Sequence, residues 1–344
     1  MSKTIKTKAE LALSTNQKKT MLYDVVLYTH ANNSIGFGHA SRCAKLYKVL
    51  KNKNLSVAFV GKFEGLSREL LTKLCDPVIL SKAVGVIGVY DRMDDPEQPH
   101  IWSAEHMNKL SSSCKHVVFL ANGTTDPELP SGVTCIGYKA GVPDTSSDDF
   151  NWGFEYAPFS RDDSYNEVRQ DREQQKIFVA LGGGATASST MKVIKACKIY
   201  SSACNVDVLL SPVNNIDSED LEFHHFENVV THKNVSSLTH FFKTSGMVVA
   251  SYGHLAYEAL SYGAPTCVLG QKQFQTEFAK RLEERQLCVS AGNLEQMTAE
   301  QLAESIQNTM NRAADLSSKT TAIFDGGGIN RIAELVYARY LSVK

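Results

Sequence analysis

Tyr23-Asp-Val-Val-Leu-Tyr28, followed after a polar stretch by Ile35-Gly36-Phe37-Gly38-His39-Ala40-Ser41-Arg42, decides how this chain is read. The first run is mostly apolar, as in a strand buried on both faces of a parallel sheet. Beyond the second, Cys43, Leu46, Val49 and Leu50 recur at helical spacing. A strand, a glycine turn and a helix therefore follow one another. Glycines let the backbone turn tightly and let a ligand approach, and the helix N-terminus offers unpaired N–H groups to an anion. His39 stands at that mouth. Spacing alone favours a structural histidine over a catalytic one. Gly36-x-Gly38 does not open a dinucleotide fingerprint: the third glycine is replaced by Ser41, and the next strand, Leu55 to Val60, ends in Gly61-Lys62 without the acidic residue that a ribose needs.

Working outward, apolar strand-like runs alternate with amphipathic helical ones, the signature of a parallel sheet wound with helices. A helix carrying Leu70, Leu71 and Leu74 and strands at Val84 to Tyr90 and Val117 to Leu120 complete a first domain, residues 21–160. A surface loop at 91–101 and a helix from Trp102 to Leu110 lie between those two strands. Residues 161–175 are polar enough to be a linker. The pattern restarts in a second domain, 176–344, with strands at Ile177 to Leu181, Val206 to Leu210, Val229 to Thr231, Met247 to Ala250 and Thr266 to Leu269. Its helices are read at Met191 to Tyr200, Leu238 to Phe242, His254 to Tyr262, Gln275 to Arg285 and Ala299 to Arg312. A last helix bearing Ile332, Leu335 and Val336 is a candidate to pack back on the first domain. Residues 1–20 read as a polar extension without assigned function.

The chain has 344 residues, 43% of them hydrophobic, and a formal net charge of -1, which gives no electrostatic footprint for nucleic acid or an anionic membrane. No apolar run approaches the roughly 20 residues of a membrane span. The five lysines within the first twenty residues precede no apolar core, so the expected location is the cytoplasm. Eight cysteines are scattered through apolar segments without Cys-x-x-Cys pairs and read as reduced core thiols. His224, His225, His232 and His240 fit no metal-ligand spacing.

Two further loops carry chemistry. Gly182-Gly183-Gly184 after a strand suits close approach of a phosphate or sugar, or is a plain tight turn; no Gly-Lys-Ser/Thr follows, so it is not a P-loop. In Ala250-Ser251-Tyr252-Gly253-His254-Leu255-Ala256-Tyr257-Glu258 a helix begins near His254 with free N–H groups where a diphosphate would be favoured. Glu258, one turn in, either accepts both hydroxyls of a ribose or complements the helix dipole.

In this order, Gly-Phe-Gly-His, Gly-Gly-Gly, Ser-x-Gly with its glutamate, Gly263-Ala264-Pro265 and a following glutamine, the chain resembles the two-domain GT-B nucleotide-sugar enzymes. It is most similar to the pseudaminic-acid-pathway hydrolases, which release UDP from UDP-2,4-diacetamido-2,4,6-trideoxy-β-L-altropyranose, and to the spore-coat polysaccharide proteins. The peptidoglycan N-acetylglucosaminyltransferase is a more distant likeness. The resemblance covers most of residues 22–290, with support from Gly153-Phe154-Glu155-Tyr156-Ala157. It implies an α/β GT-B fold, two Rossmann-like doubly wound domains facing across a cleft. It makes His39 the general base and Tyr90 a second catalytic residue, and implies that Gly36, Gly38, Arg42, Gly182, Gly183, Gly184, Ser251, Gly253, His254, Leu255, Glu258 and Gln275 face a UDP-sugar. No cofactor or metal is expected, and no nucleic-acid partner; nothing in the sequence speaks to oligomeric state. The hydrolases carry Asp-x-Tyr at the end of a mid-domain strand, where this chain has Gly88-Val89-Tyr90 and then Asp91. Water is the expected acceptor; a glycosyltransferase with a glycan acceptor and a non-catalytic nucleotide-sugar-binding protein are the alternatives.

Overall fold

The computed structural model describes residues 22–32, 37–92, 101–121, 123–124, 129–138, 149–159, 172–210, 226–233, 235 and 237–344. The extension 1–20, most of the 91–101 loop and of the linker, Gly36, His224 and His225 lie outside them.

The first half runs β1 (Leu22–Tyr28), α1 (Gly38–Asn52), β2 (Val57–Val60), α2 (Ser67–Cys75), β3 (Ile79–Leu80), β4 (Val84–Tyr90), β5 (Ile101–Trp102), α3 (Ala104–Ser111), β6 (Cys114–Ala121), β7 (Gly123–Thr124), β8 (Val133–Gly137) and β9 (Phe150–Trp152). Seven of these strands form one sheet in the order β3-β2-β1-β4-β6-β8-β9, every pair parallel, while β5 and β7 pair separately. The second half runs β10 (Glu173–Ala180), α4 (Ala187–Tyr200), β11 (Asn205–Leu209), β12 (Val229–His232), α5 (Thr239–Thr244), β13 (Ser245–Ser251), α6 (His254–Ser261), β14 (Thr266–Gly270), α7 (Gln273–Glu284), β15 (Val289–Asn293), α8 (Ala299–Asn311), α9 (Ala313–Ile323) and α10 (Gly328–Val343). Its sheet is β12-β11-β10-β13-β14-β15, again parallel throughout. The two wound sheets are a GT-B fold.

Burial on both faces explains the apolar strand runs: Leu27 and Val89 join a core beneath α1, while Val26, Tyr28 and Tyr90 join another on the opposite face. Several elements differ from the sequence reading. β10 begins at Glu173, ahead of the expected Ile177, because Glu173 pairs with Ser245 while the first three residues stay exposed and so look like linker. Arg172 anchors that start by donating to the Phe242, Ser245 and Tyr262 carbonyls. Strands β3, β5, β7, β8, β9 and β15 and helix α9 have no counterpart in the reading.

The halves are joined by packing as well as by chain. Tyr138, Ala157 and Phe159 share one core with Tyr252, Tyr257 and Phe324. From the other direction α10 leaves the second half and lays Ile329, Ile332, Ala333, Val336 and Tyr340 into the core beneath α1. This crossing is tight: a Cβ on Gly328 would stand 1.8 Å from the Ala157 carbonyl oxygen, so only glycine fits.

Candidate active site

In each sheet the winding reverses beside the first strand, at β1/β4 and at β10/β13. The carboxyl ends of such strands open a crevice where ligands of α/β proteins bind. His39 follows β1 and Asp91 follows β4. Their meeting is dictated by register: Tyr28 is level with Tyr90, and the Asp91 N–H donates to the Tyr28 carbonyl at 3.0 Å. Successive strand side chains point to opposite faces. Tyr90 therefore stacks on Tyr28 at 4.2 Å and on Phe119 at 5.1 Å, on the face away from α1. Asp91 turns toward α1 and accepts from His39 Nδ1 at 2.9 Å.

Arg42, one turn along α1 from His39, completes the cluster. Its Nε donates to Asp91 Oδ2 at 2.8 Å and its Nη2 to Oδ1 at 2.6 Å, a bidentate pair, and Nη2 also lies 3.0 Å from His39 Nδ1. His39 is 6% exposed, Arg42 3%, and Asp91 is fully buried. Burial would raise the Asp91 carboxyl, but the Arg42 guanidinium and the His39 hydrogen bond outweigh it and hold the group well below the usual carboxylate range. Burial likewise opposes charge on Arg42, and Asp91 more than restores it. An ionised carboxylate against Nδ1 fixes the tautomer: Nδ1 carries the proton and Nε2 keeps a lone pair, the arrangement of a general base.

The second sheet supplies the facing wall. Gly182 adopts φ +73°, and a Cβ on Gly184 would stand 2.4 Å from Gln271 Oε1. Gln271 Nε2 donates to the Leu181 carbonyl at 2.8 Å and to Ser251 Oγ at 2.6 Å, tying the glycine loop to the end of β13. Gly253, at φ +149° and ψ -156°, turns the chain into α6, and no side chain caps that helix. Leu255 lies beside Gly182, its Cδ1 3.7 Å from where a Cβ would sit. The halves touch here: a Cβ on Gly38 would stand 3.6 Å from His254 Cβ, the Phe159 and His254 rings are 4.9 Å apart, and Lys45 Nζ donates to Glu258 Oε1 at 3.1 Å. His254 Nε2 is 3.8 Å from Glu258 Oε2.

Most of the residues named from sequence converge on this cleft: His39, Gly38, Gly182, Gly183, Gly184, Ser251, Gly253, His254, Leu255 and Glu258. Three do not act as expected. Tyr90 is 2% exposed and donates its hydroxyl to the Leu110 carbonyl at 3.0 Å, so it is a core residue and Asp91 holds the place beside the histidine. Arg42 engages Asp91 rather than facing a ligand. Gln275 accepts from the Gln271 and Lys272 N–H groups at 2.8 and 3.1 Å and donates to the Tyr252 carbonyl at 2.9 Å, which fixes the loop instead of reading a nucleotide. Lys45 and Gln271 were missed. Lys45 had a signal: with His39 and Arg42 it forms an i, i+3, i+6 row on one face of α1.

Among the described residues no group of three or more His, Cys, Asp or Glu side chains could hold a metal, and no helix is long and apolar enough to cross a membrane. His232 pairs with Asp207 at 2.5 Å, away from the cleft. An open depression of about 480 Å³, lined by Trp152, Phe154, Glu155, Arg285 and Ile323, shares no residue with the site.

No known protein-family profile matches the sequence. An uncharacterized protein of Methanocaldococcus jannaschii is 26% identical over 112 residues, 31% of this chain and 23% of that protein, so the match spans about a quarter of its length. Solved structures align over almost the whole chain. The glycotransferase of kitacinnamycin has a TM-score of 0.61 at 10% identity, over 92% of this chain and 99% of that one. The spinosyn rhamnosyltransferase SpnG complexed with thymidine diphosphate has 0.57 at 14%, over 91% and 99%. MurG of Acinetobacter baumannii has 0.54 at 11%, over 92% and 99%. At these identities the likeness is one of fold.

Proposed function

We propose that the chain is a sugar transferase, taking a nucleoside-diphosphate sugar on the loops that end β10 and β13 and passing the sugar to a hydroxyl deprotonated by His39. The observation that carries this reading is the buried His39–Asp91 pair at the end of the first sheet, facing the uncapped start of α6 in the second. In the step, a bond forms between the acceptor oxygen and the anomeric carbon while the bond from that carbon to the diphosphate breaks. The electron pair leaves with the diphosphate, and the acceptor proton passes to Nε2 of His39. The N-terminus of α6 favours the departing anion. The structural neighbours support the reading, since two are sugar transferases by name and one holds thymidine diphosphate. UDP, and a di-N-acetylated deoxyhexose as sugar, are the donor features that the Gly-Phe-Gly-His resemblance implies.

Water as the acceptor is the second reading, the hydrolase of the sequence resemblance. The 6% exposure of His39, which leaves little room beside the ring, favours it. One experiment separates the two: purified protein is incubated with UDP- and TDP-sugars, with and without glycan acceptors, and nucleoside diphosphate release is followed. Release that requires an acceptor is expected. Acceptor-free release abolished by His39→Ala assigns water. Binding without turnover, indifferent to His39→Ala, overturns both in favour of a binding protein.

Glu258 is the proposed ribose acceptor, held by Lys45 before a donor arrives. A hydrogen bond to a charged group contributes about 1.5–3 kcal/mol, so Glu258→Gln should raise KM for the donor about 10- to 100-fold with kcat little changed. Lys45→Met breaks the same interdomain pair from its other end and isolates that contribution. An unchanged KM in Glu258→Gln would remove the ribose contact.

A further inference from the structure

We propose that Arg42 is a positioning residue that sets the tautomer and basicity of His39 by occupying both oxygens of Asp91 and cancelling its charge. The inference rests on the reading of His39 as the reaction's base. A carboxylate alone against Nδ1 would draw a second proton onto the ring, since an opposite charge within about 4–6 Å favours the charged form. An imidazolium accepts nothing. Arg42 prevents this in two ways. Its bidentate grip, at 2.8 and 2.6 Å, neutralises the carboxylate within the same buried cluster. Its Nη2, 3.0 Å from Nδ1, sets a cation beside the ring that repels a second positive charge. The Nη2 contact does not reverse the tautomer. A bare Nδ1 lone pair 2.9 Å from an ionised oxygen would be repelled, which outweighs a donation from the second Nη2 hydrogen.

The other ionisable groups packed around the centre leave this balance intact. Burial pushes Tyr138, beyond β8, up to about 12, and pushes the Cys43 thiol on α1 well above its ordinary value, so both are neutral at pH 7. Lys45, further along α1, pairs across the cleft with Glu258, which His254 also approaches. Asp91 and Arg42 are the charged groups that meet the His39 ring at Nδ1.

The test is nitrogen-15 NMR of histidine-labelled protein, with the His39 ring assigned by its loss in His39→Gln. The wild type is expected to show the Nδ1–H tautomer, and its titration is the reference against which the variants are read. Arg42→Met is expected to move that titration up by about one unit or more, and the acid limb of kcat/KM with it, a loss of about tenfold per unit at pH below the limb. Arg42→Lys restores the charge and should return the titration toward the wild-type value. An Nε2–H tautomer in the wild type overturns the proposal even if Arg42→Met does not fold. So does an Arg42→Met titration equal to the wild type's, or an Arg42→Lys titration equal to that of Arg42→Met. Failure of the transferase reading is seen separately, as wild-type protein that turns over no donor while the imidazole titrations of wild type and variants differ as stated.

Discussion

Asp91→Asn is expected to cut donor turnover about 10⁴-fold, the loss seen when a catalytic histidine loses the carboxylate that fixes its tautomer. The side-chain amide can donate to Nδ1, which would put the ring proton on Nε2 and leave no lone pair for the acceptor. The same change strands Arg42, whose guanidinium is buried with Asp91 as its charge partner. Breaking a buried pair from one side costs about 3–5 kcal/mol, so the variant should also unfold at a markedly lower temperature. Its pH dependence has a fixed sign. The folded Asp91 carboxyl lies below its unfolded value of about 3.9, so its stabilisation is fully present above that pH and is lost as pH falls from there through the folded value. The stability gap between wild type and variant should therefore be constant near neutrality and narrow below about pH 4. Turnover is read as nucleoside diphosphate release under saturating donor, and stability by thermal unfolding across that pH range. A variant within tenfold of wild-type kcat would sink the base assignment, and a gap that widens in acid would sink the ion-pair account.

What could be read from the residues follows from what their chemistry fixes locally. Apolar runs buried on both faces, glycines at strand ends and helical spacing after them produced both wound sheets, because each signal reports a backbone choice. The Gly182 and Gly253 loops were legible for the same reason. The partner of His39 was not settled. Whether Tyr90 or Asp91 reaches it depends on which face of β4 looks at α1, and a shift of one residue reverses every side chain. The resemblance drew attention to the tyrosine, which is the residue that the sheet turns away. Gln275 misled differently: a side-chain amide reads a ligand and ties a backbone with the same two groups, and only the loop around Gln271 and Tyr252 shows which. β10 began early because Glu173, Gln174 and Gln175 form an exposed strand start, where polarity says nothing about hydrogen bonding to a neighbour. The interdomain contacts of Lys45 and Phe159 join residues far apart in sequence, which no local pattern encodes.

A chain ending at Gly327, and so lacking α10, is expected to lose the fold of its first half while its second half persists. Ile329, Ile332, Val336 and Tyr340 are buried in the core that also holds Leu27, Val89 and the inner face of α1. At about 1.5–3 kcal/mol for each large apolar side chain, their removal forfeits about 6–12 kcal/mol, comparable with the whole stability of a typical domain, about 5–15 kcal/mol. The loss includes the Tyr340 hydroxyl that donates to Asp24 at 2.6 Å at the start of β1 and the Lys53–Glu334 pair at 2.6 Å. The cores of the second sheet contain no residue of α10. Hydrogen exchange should thus find β1, β4 and β6 unprotected and β10, β13 and β14 still protected. Function should divide along the same line. The proposed diphosphate and ribose contacts belong to the second half, so a nucleoside diphosphate should still bind, more weakly for want of the facing wall. His39 and Asp91 depend on α1 lying flat on β1 and β4, so turnover should vanish. Wild-type protection of β1 and β4 in the shortened chain would show that α10 covers the first core without holding it together, and retained turnover would separate the cleft from the crossing altogether.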